Sequence, residues 1–127
     1  MARRSERWTE ADLAARGYVR HVPLVQQTPE KTLLARIRQL AKTHGWLTYH
    51  VFDARRSEDG YPDLTLTKPG RLIFAELKSQ TGKLTHEQDT WLAMLKRSLP
   101  GAEVYLWRPA DWPDIVTILT QKGAPHA

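Results

Sequence analysis

A chain of 127 residues is long enough for one hydrophobic core and too short for two, so a single domain over 1–127 is expected, its core running from about 28 to 121 with frayed ends at 1–8 and 122–127. With 41% hydrophobic and 26% charged residues and no cysteine, disorder, disulfides and thiolate zinc sites are excluded. The net charge is +5 and uneven: residues 1–56 hold 11 Lys and Arg against 5 Asp and Glu, whereas 57–127 hold 8 against 9. That distribution fits a polyanionic partner and, equally, a solvated basic face.

The N-terminus, Met1-Ala2-Arg3-Arg4-Ser5-Glu6-Arg7, has no apolar region of the signal-peptide kind, and no stretch reaches the length of a membrane span. An intracellular, cytoplasmic protein with no membrane partner is therefore expected. The histidines lie at none of the metal-ligand spacings, so no structural zinc is expected. A first short helix is predicted from Thr9 as N-cap to Gly17, followed by irregular chain over 18–27. A second runs from Thr28 as N-cap, with Pro29 in the first turn, to a stop at Gly45. Its apolar stripe is Leu33, Leu34, Ile37, Leu40 and Ala41.

Alternation of β-formers predicts a strand over 46–52 and a polar loop over 53–60. Two more strands follow, 62–67 and 72–78, joined by the turn Lys68-Pro69-Gly70-Arg71. Beyond a loop around Gly82, Thr85 caps a helix that ends near Leu99 at Pro100-Gly101. A strand over 103–107 and a helix from Asp111 to about Gln121 complete the order α-α-β-β-β-α-β-α. This is an α/β pattern: a mixed central sheet of about four strands flanked by helices.

The chemistry concentrates in Gly60-Tyr61-Pro62-Asp63 and Glu76-Leu77-Lys78. If Lys68 pairs with Arg71, paired residue numbers in that hairpin sum to 139, which sets Asp63 opposite Glu76 with Cβ atoms roughly 5 Å apart. Two facing carboxylates repel, and a divalent cation such as Mg²⁺ or Mn²⁺ offsets that repulsion. Lys78, two residues on, leaves the same strand face and sets a cation beside any developing phosphate charge. The set suits metal-dependent phosphodiester hydrolysis; the plainer alternative is a solvated cross-strand network. The apolar run Leu72-Ile73-Phe74-Ala75 favours the first, because a lone Glu on a buried strand is costly. Glu30 shares the helical stripe with Leu33 and Ile37, so it is a candidate third carboxylate or a helix-dipole partner. Gln88, three residues after Thr85, is accounted for by a capping box.

Together these residues resemble the PD-(D/E)XK nuclease superfamily and, more closely, its VRR-NUC branch. The match comprises Glu30 in an early helix, Gly60-Tyr61-Pro62-Asp63, Glu76-Leu77-Lys78, Gly82, the helix with Gln88, Trp91 and Leu92, and the strand ending in Trp107-Arg108-Pro109-Ala110-Asp111-Trp112. The resemblance implies a restriction-endonuclease-like core. It makes Asp63 and Glu76 metal ligands, with the Leu77 carbonyl a further one, Lys78 catalytic, Glu30 the helix carboxylate (Glu10 competes for that place) and Gln88 the motif glutamine. It further implies a Mg²⁺- or Mn²⁺-dependent endonuclease without a small-molecule cofactor. Short stand-alone members resemble homodimeric enzymes that resolve four-way (Holliday) junctions in DNA. The alternatives are a restriction-like duplex cutter or other structure-specific nuclease, a catalytically silent DNA-binding subunit and, from the weakest signal, a pure interaction domain.

Arg55 and Arg56, just before the Gly60 motif, are expected to contact DNA, and Tyr61, opposite Lys78 in the same register, to line the site. Arg3, Arg4 and Arg7 read as a basic tail, and Lys83, Lys96 and Arg97 as solvated. His50 reads as a plain polar strand residue. Trp46, Trp91, Trp107 and Trp112 fall on apolar positions and are expected in the core.

Overall fold

The structure, a computed structural model, describes residues 29–51 and 58–122. Their order is helix α1 (Pro29–Thr43), strands β1 (Leu47–His50), β2 (Leu64–Lys68) and β3 (Arg71–Leu77), helix α2 (His86–Ser98), strand β4 (Glu103–Trp107), a 3₁₀ turn (Pro109–Asp111) and helix α3 (Trp112–Thr120). The helix expected over Thr9–Gly17 lies outside the described residues. Leu33, Ile37 and Ala41 recur every fourth residue along α1, so one stripe is buried while Glu30 and Lys42 sit at the ends that suit the helix dipole.

The sheet order is β1-β2-β3-β4, antiparallel across the first three strands and parallel between β3 and β4. The hairpin register is the one the turn predicts, Lys68 against Arg71 through Leu64 against Ala75. β3 is central and reads as a continuously buried strand: Arg71 and every residue from Ile73 to Leu77 are buried. One sheet face carries Leu64, Leu66, Ile73, Ala75, Leu77 and Trp107 into a single core with α1 and with Ile115 and Leu119 of α3. By alternation the other face carries Phe74, Glu76, Val104 and Leu106. Leu92 and Ala93 of α2 share a groove of about 270 Å³ with Val104 and Leu106. Edge strand β1 leaves Leu47 and Tyr49 exposed.

Several boundaries differ from the sequence expectation, each for a local reason. Trp46 precedes β1 because its indole is drawn into the core, where Nε1–H donates to the Leu119 carbonyl at 2.9 Å. β2 starts at Leu64 rather than Pro62: Pro62 has no N–H, and Asp63 meets β3 through side chains, its Oδ2 accepting from the Leu77 N–H and its backbone hydrogen-bonding the Glu76 carboxyl, outside the regular ladder. A 3₁₀ turn holds Pro109–Asp111, so the last helix begins one residue late, at Trp112. Of the tryptophans expected in the core, Trp46 and Trp107 are buried. Trp91 and Trp112 are only half-buried; Trp112 lies under the Arg36 guanidinium, 4.0 Å from its ring centre. Among the described residues no helix is long and apolar enough to cross a membrane.

Candidate active site

Strands β3 and β4 run parallel, so their C-terminal ends lie side by side, the position at which open α/β sheets bind ligands. Asp63, Glu76 and Lys78 collect at that end. Asp63 stands one place beyond the last ladder pair of the hairpin. Its carbonyl accepts from the Val51 N–H at 3.0 Å and its Oδ2 from the Leu77 N–H at 2.8 Å, which fixes the carboxylate from both neighbouring strands. Glu76 is 2% exposed, and its Oε1 has no hydrogen-bond partner among the described residues.

The two carboxyls lie within hydrogen-bond reach of each other. Burial, and secondly the charge of Asp63, push the Glu76 carboxyl up to about 8, with Lys78 opposing. Burial also raises Asp63, against the Leu77 N–H, which holds it down. Two carboxylates this close in a poorly solvated place cannot both stay charged without a cation, so one keeps its proton. An orphaned buried oxygen beside a second carboxylate is a donor set that a hard divalent cation fits.

Glu30, in the first turn of α1, is near enough for its charge to act on Asp63. Its Oε2 accepts from the Ser79 N–H at 2.9 Å. It thus grips the chain just after Lys78. Among the described residues no group of three or more Asp, Glu, His or Cys is arranged to hold a metal. Lys78 has left the strand proper, yet its N–H still donates to the Trp107 carbonyl at 3.0 Å. Its charge acts on both carboxyls.

A cleft of about 340 Å³ opens beside Asp63, lined by Val51, Gly60, Tyr61, Thr85 and Gln88 among others. Tyr61 is held edge-on against Trp91 of α2, ring centres 5.0 Å apart. Gly60 has φ +88°, and a Cβ there would fall 2.5 Å from the Glu87 backbone, so only glycine lets this loop rest on the first turn of α2. Gln88 does make the capping box: its Oε1 accepts from the Thr85 N–H at 2.9 Å, and the Thr85 Oγ1 accepts from the Gln88 N–H at 3.1 Å. Arg55 and Arg56 lie outside the described residues. A larger groove of about 460 Å³, between β4 and α3, contains none of the expected site residues.

Comparison with known families settles what this arrangement belongs to, because the VRR-NUC domain model matches residues 2–111. The chain belongs to the VRR-NUC family. A solved structure described as a VRR_NUC domain protein superposes on this VRR-NUC domain with a TM-score of 0.57 at 15% identity, covering 78% of this chain and 93% of that one. The likeness shows a shared fold, the mixed α/β arrangement of a four-stranded sheet with flanking helices expected from the sequence. A Holliday junction resolvase, Hjc, of Archaeoglobus fulgidus superposes with a TM-score of 0.42 at 21% identity, over 63% of this chain and 65% of that one. No curated protein matches the chain.

Sequence reasoning gave Arg108 no role beyond its place in the run Trp107-Arg108-Pro109-Ala110-Asp111-Trp112. It follows β4 as Lys78 follows β3, and its guanidinium reaches the loop after Lys78. Only the parallel register of β3 and β4 brings the two together, and no local pattern announces that register.

Proposed function

We propose that this VRR-NUC domain is a Mg²⁺- or Mn²⁺-dependent endodeoxyribonuclease that cuts branched DNA, with the four-way junction as its substrate and a homodimer as its working form. The observation that carries the reading is the buried Glu76, its Oε1 unpartnered, beside Asp63 with Lys78 following on the chain. Asp63, Glu76 and the Leu77 carbonyl are the groups that would hold the cation. Bound there, it would supply Lewis-acid polarisation of a phosphate oxygen and a more acidic water.

The chain's own residues supply the rest. The Leu77 N–H orients Asp63. Lys78 sets a fixed positive charge where phosphate charge develops, in a place that water screens poorly. Glu30 holds the Ser79 amide and with it the turn after Lys78. Tyr61 and Gln88 line the cleft along which a strand would approach, and Arg55 and Arg56 would take phosphates. The dimer follows from the substrate: a four-way junction is two-fold symmetric, and paired incisions need two sites related by a dyad, one from each copy.

The test is incubation with labelled four-way junction, flap, duplex and single-stranded DNA, in Mg²⁺, Mn²⁺ or EDTA, beside Asp63→Asn. Metal-dependent, symmetric nicks at the junction, absent from the variant, are expected. Cutting of plain duplex would favour a restriction-like nuclease. Salt-sensitive binding without any cleavage would mark a silent DNA-binding subunit.

A further inference from the structure

Arg108 makes no contact with either carboxylate, yet it organises the segment that follows the proposed catalytic lysine. Its Nη1 donates to the Ser79 carbonyl at 2.7 Å, the Gly82 carbonyl at 2.6 Å and, at longer range, the Gln80 carbonyl at 3.3 Å. The arginine is itself anchored. Its backbone N–H donates to Asp111 Oδ2 at 2.8 Å, and the Ala110 N–H donates to Gln80 Oε1 at 3.0 Å. The same loop is closed from within, because the Gly82 N–H donates to Ser79 Oγ at 3.0 Å, and from the far side, where Glu30 takes the Ser79 N–H.

Converging carbonyls repel one another, so a loop that turns them inward needs a fixed donor between them. The closed loop brings Gly82 against the lysine stem: a Cβ at Gly82 would lie 3.5 Å from Lys78 Cδ and 3.0 Å from Ser79 Oγ. The Lys78 stem therefore lies beside the loop that Arg108 gathers, which bounds it on one side. A flexible lysine held this way loses less freedom when it meets substrate.

We propose that Arg108 is a positioning residue for phosphodiester cleavage, holding Lys78 through the 79–82 loop rather than touching DNA. The inference rests on the nuclease reading above. Arg108→Met and the charge-conserving Arg108→Lys are compared with wild type and with Lys78→Met in single-turnover cleavage, in DNA affinity measured in EDTA, and in amide hydrogen exchange. Arg108→Met is expected to slow cleavage about 10- to 100-fold, with the dissociation constant unchanged within about twofold. Exchange at Ser79 and Gly82 quickens, and Arg108→Lys falls between the two. In a Lys78→Met background the same substitution should cost little, because the lysine through which it acts is gone.

Unchanged exchange at Ser79 and Gly82 would overturn the structural part of the proposal. Weakened DNA affinity in both variants would make Arg108 a phosphate contact instead. An equal loss with and without Lys78 would overturn the route through the lysine. If wild-type protein cleaves no DNA at all while exchange still quickens in Arg108→Met, the nuclease reading fails and the loop clasp stands.

Discussion

The Leu77 N–H donates to Asp63 Oδ2 across 2.8 Å, so the strand that carries Glu76 also fixes the carboxylate opposed to it. The same bond leaves Asp63 little room to swing away from its neighbour. Repulsion between the two groups is therefore built into the register and has to be met by a proton or a cation.

Asp63→Asn separates the charge from the hydrogen bond, since the amide oxygen still accepts from Leu77. Cleavage should be abolished, while in EDTA at pH 8 the variant should be more stable than wild type by about 1–2 kcal/mol, as the repulsion is gone. Urea unfolding in EDTA reads this directly. A destabilised Asp63→Asn would show that the charge of Asp63 is structural.

The pH dependence of the metal-free protein follows from Glu76. Its folded-state pKa is raised, from an ordinary 4.5 to about 8. Between those values the unfolded chain has released the proton and the folded chain retains it. Stability is therefore greatest below about 4.5, as far as this group is concerned, and falls as pH rises to about 8, by roughly 4–5 kcal/mol at most. Urea midpoints in EDTA between pH 5 and 8.5 should decline in wild type and stay nearly level in Glu76→Gln. Equal slopes in the two proteins would remove Glu76 as the source.

Gly60 and Gly70 provide a matched pair. Both have positive φ, +88° and +81°, but a Cβ at Gly70 meets nothing within 4 Å, whereas one at Gly60 runs into Glu87. Gly70→Ala should cost only the backbone strain, about 1 kcal/mol. Gly60→Ala should cost at least about 2 kcal/mol more or push the loop off α2, and cleavage should fall with it. Thermal unfolding and activity measured side by side on the two variants distinguish them.

Gln88 divides into two roles that substitution can separate. Thr85→Ala and Gln88→Ala each break the capping box and should cost about 0.5–1 kcal/mol alike. If the amide of Gln88 also meets substrate in the cleft, only Gln88→Ala should slow cleavage, by about tenfold, a loss of roughly 1.4 kcal/mol in the transition state. Equal activities would confine Gln88 to the cap.

Local sequence signals carried much of this. The Pro69-Gly70 turn set the hairpin register, and with it the meeting of Asp63 and Glu76, because a two-residue loop leaves no freedom in the count. The capping box at Thr85 was legible for the same reason: its partners are three residues apart. The contacts that escaped join distant segments. That Glu30 reaches the Ser79 amide, 49 residues away, depends on where α1 crosses the sheet. That Trp91 turns from the core to meet Tyr61 depends on the docking of α2, which no periodicity specifies.

The buried Arg71 begins the strand that ends in Glu76 and Leu77. Its guanidinium pairs with both carboxylate oxygens of Glu103, at 2.9 and 2.6 Å, and with the carbonyls of Ile118 and Gln121 at 2.7 and 3.2 Å. Trp46 likewise takes its acceptor from Leu119. On a ribosome these partners emerge after β3 and α2, so a chain synthesised as far as α2 holds a guanidinium and an indole N–H without their native acceptors. The central strand has its full set of partners only once residue 121 has been made. The strand that carries Glu76 thus finds the carbonyl partners of its buried arginine more than forty residues downstream, and full burial of that strand waits on α3.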